Sequence, residues 1–149
     1  MSIALQIQPQ GIEQLEGALS RLATPDLHSY LDVMGALVES QTRARLSEEK
    51  KSPGGEQWAE WSARYARTRH SGQKLLESRG DLIGDIHYIV EGDAVWIGSA
   101  LVYAAKHQLG SKDGTTPARE YLGLSAANEA ELIEESISFL ASQIEAAQQ

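Results

Sequence analysis

Between residues 26 and 49 the apolar side chains recur every three or four positions: Leu27, Tyr30, Leu31, Met34, Leu37, Val38, Thr42 and Leu46. That spacing places them on one stripe of a long helix, and a stripe of that length has to be buried. No heptad is sustained over three or four repeats, so the pattern predicts a core helix packed on a sheet and not a coiled-coil strand. Thr24-Pro25-Asp26 predicts its start, with Thr24 as N-cap and Pro25 in the first turn. Ser52-Pro53-Gly54-Gly55 predicts a loop after its end, since Pro53 disfavours helix at Ser52.

Elsewhere the period changes. Ile3, Leu5 and Ile7 alternate, which predicts a short strand or an extended arm within residues 1–10, stopped by Pro9 and Gly11. Ile12, Leu15, Ala18, Leu19 and Leu22 return to helical spacing. From Asp85 onward Ile86, Tyr88 and Val90 alternate with Asp85, His87 and Ile89, residues that favour strand. Glu91-Gly92-Asp93 makes a turn and Ala94–Ile97 the return strand, so a β-hairpin is expected. Residues 101–108 suit a short helix, and 108–118 a flexible loop. Ser125 is placed to cap a last helix whose apolar face is Leu132, Ile133, Ile137, Leu140 and Ile144, ending near Ala147. Helices, then a hairpin, then a helix argue for an α+β fold. The expectation is one domain over residues 1–149: N-terminal helices and a long C-terminal helix packed on a small antiparallel β-sheet.

Composition removes several functions. The 149 residues include no cysteine, which excludes disulfides, thiolate chemistry and Cys-based zinc sites. No apolar run reaches the length of a bilayer span, and "MSIALQIQPQ" lacks the basic start and apolar core of a signal peptide. The net charge of -8 falls in the second half of the chain: after residue 75 only Arg79, Lys106, Lys112 and Arg119 oppose twelve acidic residues. The segment from Arg43 to Lys74 is basic by contrast. Such an asymmetry suits docking between copies, or onto a protein partner, better than docking onto phosphate backbones.

The chemical candidates are weak. His28, His70, His87 and His107 show no pairing at ligand spacing. His107 with Asp113 and Ser111 could be drawn as a hydrolase constellation, but no Gly-x-Ser-x-Gly turn supports it. Asp81 and Asp85 stand four apart, as an acid–base pair or a divalent site would, or simply as solvated faces. No Gly-x-Gly-x-x-Gly or phosphate loop is present, so a nucleotide enzyme has no support; with each candidate better read as structural, no catalytic residue, metal or cofactor is expected. One cluster stands out: Trp58, Trp61 and Tyr65 share a face if helical, accompanied by Arg64, Arg67 and Arg69. Aromatics interleaved with arginine can stack on bases. They are also the residues that anchor protein interfaces, and the net charge favours the protein partner. A small protein- or nucleic-acid-binding module using Trp58, Trp61, Arg64 and Arg67 is the competing reading.

Four motifs then occur in order: "SPGGEQWAEWSARYARTR", "KLLESRGDLIGDI", "VWIGSALVYAAKHQLG" and "PAREYLGLS". Their order and spacing over residues 26–145 resemble the phage virion morphogenesis family, which includes tail completion proteins. The matching positions include Pro53, Gly55, Trp58, Gly80, Gly98, Tyr103, His107, Gln108, Gly110, Pro117, Arg119 and Gly123. Three departures stand beside them: Gly54, Arg79 and the Glu120-Tyr121 pair replace the family's usual residues. The resemblance implies a structural virion protein of the neck, not an enzyme. Such a protein would join head and tail or complete the tail, as a homo-oligomer arranged in a hexameric ring. Adjoining neck, portal-side or tail-tube proteins are the implied partners, with DNA passing through the lumen, no membrane, and assembly in the host cytoplasm before incorporation into the virion. Trp58, Trp61, Arg64, Tyr103, His107, Gln108, Arg119 and Tyr121 are the implied interface residues. On this view residues 108–118 order against a neighbour, Arg119 anchors them through a bidentate bond to a carboxylate, and the acidic half of one copy meets the Arg43–Lys74 segment of the next.

Overall fold

The computed structural model describes residues 2–7 and 26–147. The expected helix at 12–22 and the expected cap Thr24 lie outside them. In chain order the elements are β1 (Ile3–Ile7), α1 (Leu27–Ala44), α2 (Ala63–Ala66), α3 (Asp81–Gly84), β2 (His87–Glu91), β3 (Ala94–Ser99), α4 (Ala104–Leu109) and α5 (Ala126–Ala147). The fold is α+β, as the pattern predicts.

The long stripe forms α1, but Asp26 is its cap: Oδ1 accepts from the Ser29 N–H at 3.0 Å, satisfying one of the free donors of the first turn. At the other end the helix widens into a π turn over Arg45–Glu49, and Lys50 stops it with φ 55°. This widening rotates Arg45 and Leu46 fully inward.

The hairpin forms with a two-residue turn at Gly92-Asp93. Its first strand starts at His87, two residues later than Asp85, because the Asp85 carboxylate is otherwise engaged. It accepts from Ser99 Oγ at 2.5 Å and from the Ala100 N–H at 2.8 Å, closing the turn after β3. These bonds, with Ser99 first, hold the Asp85 pKa below its ordinary value. The N-terminal alternation becomes a true edge strand. β1 pairs antiparallel with β3, Ile3 opposite Ser99 and Ile7 opposite Val95, giving the sheet order β1-β3-β2.

α1 lies on this sheet. Leu31, Leu46, Ile86 and Ile97 meet there with no solvent exposure, each worth about 1.5–3 kcal/mol of burial. Gly35 lets the Tyr88 ring sit against the helix backbone, where a Cβ would collide with it. α5 in turn rests on α1. The hydroxyls of Tyr30 and Ser136 bond at 2.8 Å, and Tyr30 meets Phe139 edge to face at 5.4 Å. Ser125 caps α5 reciprocally with Asn128, each side chain accepting from the other's backbone N–H at 3.1 Å. The predicted apolar face of α5 is divided. Of its residues Leu132 packs against the core, joined there by Phe139 from outside the predicted face, while Ile133 and Ile137 are each 61% exposed.

The helix expected to carry Trp58, Trp61 and Tyr65 is a correction. Only residues 63–66 are helical, starting after Ser62, whose hydroxyl accepts from the Tyr65 N–H at 3.3 Å. Trp58 precedes it in non-helical chain held by a bridge between Lys51 and Gln57, and its side chain is buried.

Candidate interaction surface

The segment from Arg119 to Leu124 is a non-helical run with no sheet partner, so its backbone groups need other bonds. Side chains from three other parts of the chain supply them. Gln108 on α4 accepts from the Tyr121 N–H at 2.9 Å and the Leu122 N–H at 3.0 Å, and donates to the Leu122 carbonyl at 3.2 Å. Trp58 Nε1 donates to the Glu120 carbonyl at 2.8 Å. Arg45 donates to the carbonyls of Tyr121 at 2.8 Å and Gly123 at 2.9 Å, and to Asn128 Oδ1. The Tyr121 hydroxyl reaches the Ala104 carbonyl at 3.0 Å, and burial pushes its pKa far up. Gly123, at φ 143°, lies against the Pro53 ring; a Cβ there would stand 2.7 Å from Pro53 Cγ. Motifs far apart in sequence therefore meet at one short segment.

Arg119 is a second correction. It bonds no carboxylate; its Nε donates to the Ala59 carbonyl at 2.7 Å and an NH2 group to the Glu60 carbonyl at 3.1 Å. Its own N–H donates to the His107 carbonyl at 2.7 Å. Arg119 thus ties residues 59–60 to the end of α4.

Outside this node the surface opens into a groove of about 870 Å³. Trp61, Tyr65 and Tyr103 supply its aromatic walls, and Arg64, Arg69 and Lys106 its charge. Trp61 and Tyr65 meet edge to face at 6.1 Å, and the Arg69 guanidinium stacks 4.4 Å from the Tyr65 ring centre. One wall is the turn before α3, where Leu76 and Ser78 hold positive φ and Lys50 Nζ pins the Leu75 carbonyl at 2.8 Å. The loop after α4 forms the rim through Thr115, Thr116 and Pro117. That loop closes on itself: Ser111 and Thr116 exchange backbone and hydroxyl bonds, and Asp113 accepts from the Thr115 N–H at 3.1 Å and hydroxyl at 2.8 Å. The Ser111 and Thr115 hydroxyls lower the Asp113 pKa to about 2. His107 faces the groove with its ring against Tyr103 at 5.8 Å. Its Nδ1 is buried without a partner, and burial, then the charges of Arg119 and Lys106, lower its pKa.

The residues implied as an interface therefore divide. Trp58, Gln108, Arg119 and Tyr121 lace the chain to itself, while Trp61, Arg64, Tyr103 and His107 line the groove, to whose wall Arg119 also contributes. Arg67 is exposed but outside the groove. Arg45 was not anticipated. A charged residue beside Thr42 and Leu46 looks like helix surface until the π turn swings it inward. The basic segment also shrinks: Arg43 pairs with Glu39 at 2.9 Å and Lys50 with Glu77 at 3.0 Å, so with Arg45 they serve the fold. The carboxylate of Asp113 goes to Thr115 while His107 Nδ1 has no acceptor, so the hydrolase constellation is not assembled. Asp85 is committed to the turn after β3 and does not act with Asp81. Among the described residues no cluster of His, Asp or Glu is arranged to hold a metal, and no helix is long and apolar enough to cross a membrane.

A small α+β domain that spends its buried polar groups on its own architecture and leaves an aromatic, cationic groove open has the character of an assembly component. The comparisons agree. The profile of the phage virion morphogenesis family matches residues 7–141, and the chain belongs to that family. It is 28% identical over 134 residues to the "Putative capsid assembly protein G" of Escherichia phage Mu, covering 83% of this chain and 86% of that protein. No solved structure gives a significant match. Family membership makes this a protein of phage virion assembly, acting with other virion proteins.

Proposed function

We propose that this protein is a ring-forming subunit of the phage neck, joining head to tail or completing the tail, with no catalytic step. The observation that carries the reading is the groove: Arg64, Arg69 and Lys106 stand beside Trp61, Tyr65 and Tyr103 on a chain of net charge -8. Large aromatics and arginines at an open surface are what a protein partner engages most strongly. Residues 108–118, whose tip forms the rim, are the part that a neighbouring subunit or an adjoining portal-side or tail-tube protein would press upon. Repetition around an axis, six-fold by analogy with tail symmetry, would surround a lumen. Acidic residues facing it would let DNA slide through without sticking.

Quantitative peptide counting on purified particles tests this reading. The expected result is a fixed copy number per virion, in a small multiple that matches a ring. Absence from finished particles overturns it. The stack of Trp61, Tyr65 and Arg69 is the observation that favours a second reading, a nucleic-acid-binding module. Reversing Arg64, Arg67 and Arg69 to Glu separates the two: lost oligonucleotide affinity with normal particles supports the module, while unjoined heads and tails support the neck subunit.

A further inference from the structure

We propose that the groove receives α5 of a second copy, so that each subunit holds the C-terminal helix of the next. The inference rests on the ring reading and names the two surfaces that close it. The groove walls carry Arg64, Arg69, Lys74, Arg79 and Lys106 against only Glu77 and Asp81. Among the described residues the Lys and Arg ion pairs are Arg43 with Glu39 and Lys50 with Glu77. None of those five groove cations is paired with another described residue, and Glu77 is already taken. A concentration of unmatched positive charge on an acidic protein selects an acidic occupant.

α5 has the complementary chemistry. It carries Glu129, Glu131, Glu134, Glu135 and Glu145 and no lysine or arginine. Ile133, Ile137 and Ile144 recur at helical spacing on one stripe, and all three are exposed. Glu134 and Glu145 flank that stripe on its solvent side, away from Leu132 and Phe139. An apolar ridge with acids along its border matches aromatic walls with cations along theirs. No α5 residue lines the groove of its own chain. Donor and acceptor surfaces are therefore different patches of one molecule, which makes the contact head-to-tail, the kind that closes into rings when the rotation permits.

The test uses the full chain, its assembly followed by light scattering and native mass spectrometry over a range of concentrations. Arg64→Glu with Arg69→Glu, and separately Glu134→Lys with Glu145→Lys, are each expected to raise the concentration needed for assembly by about tenfold or more. The four changes together are expected to restore much of the loss. Because the chain has no cysteine, Thr68→Cys with Ala141→Cys gives a background-free cross-link, expected between copies in solution and in purified particles. If wild-type chains form rings while both reversals leave assembly unchanged and no cross-link forms, the groove proposal fails and the ring reading survives. Reversal on α5 that lowers only the melting temperature of the single chain means its own chain covers the stripe, and also overturns the proposal. So does Arg64→Glu/Arg69→Glu that loses binding to oligothymidine at unchanged assembly. Wild-type chains that stay monomeric and are absent from particles overturn the ring reading itself.

Discussion

Arg45 is the most demanding single residue in this fold. It has no solvent exposure, and its guanidinium donates to Tyr121 O, Gly123 O and Asn128 Oδ1. Replacing it with Met keeps much of the apolar stem but leaves the buried Tyr121 carbonyl and the part-buried Gly123 carbonyl without this donor, and Asn128 Oδ1 with only the Ser125 N–H. Bonds to a charged donor contribute about 1.5 kcal/mol or more each, and an orphaned buried acceptor costs about 1–3 kcal/mol. The opposing gain is that a guanidinium no longer has to be desolvated, a cost visible in the lowering of its pKa by burial. The balance for Arg45→Met is a loss of about 3–4 kcal/mol, against a total stability of about 5–15 kcal/mol for such a domain. Arg45→Lys retains charge, but one ammonium cannot span the three acceptors, and about 2 kcal/mol is expected to be lost. Urea denaturation followed by circular dichroism reads both losses, and thermal unfolding should show a fall of about 7–14 °C in Tm for the Met variant. The reasoning is refuted if both variants remain within about 0.5 kcal/mol of the wild type, the range of an inconsequential surface change.

Three further outcomes follow from the same geometry. Tyr121→Phe strips the donor from the Ala104 carbonyl in a fully buried site, and a loss of about 1–2 kcal/mol by urea denaturation is expected. Gly123→Ala meets both a positive φ and the Pro53 ring; it should destabilise by about 2 kcal/mol or more, and adding Pro53→Gly should return only the steric part. His107 has its pKa held below the ordinary value of 6.5. As pH falls through 6.5 the unfolded chain takes up a proton that the folded chain resists, so stability declines from there towards the folded pKa. His107→Gln should flatten that part of a stability–pH profile, and an unchanged profile would show that His107 does not set it.

The regular elements were legible where one physical period dominates. The stripe from Leu27 to Leu46 marked α1, the alternation on either side of Gly92 gave the hairpin, and Ser125 marked the start of α5. The aromatic cluster misled because spacing of three and four is necessary for a helical face but does not make one. Trp58 is claimed by the Glu120 carbonyl 62 positions away, and Ser62 starts a new turn after it. Long-range bonds of this kind have no local signature. The same holds for Arg45 and Arg119, whose partners are main-chain carbonyls that any residue supplies. Sequence resemblance picked out Trp58, Gln108, Arg119 and Tyr121 as an interface. The structure shows the work they do inside one chain, while Trp61, Arg64, Tyr103 and His107 are left facing the groove. The split apolar face of α5 was invisible in periodicity, since inward Leu132 and outward Ile133 are adjacent residues.

Electron microscopy of lysates from a phage with an early stop codon in this gene tests the central claim most directly, that the chain exists to join or complete virion parts. The account predicts filled heads and tails that accumulate separately, and normal particles when the protein is supplied in trans. Intact, infectious virions made without it would contradict the account.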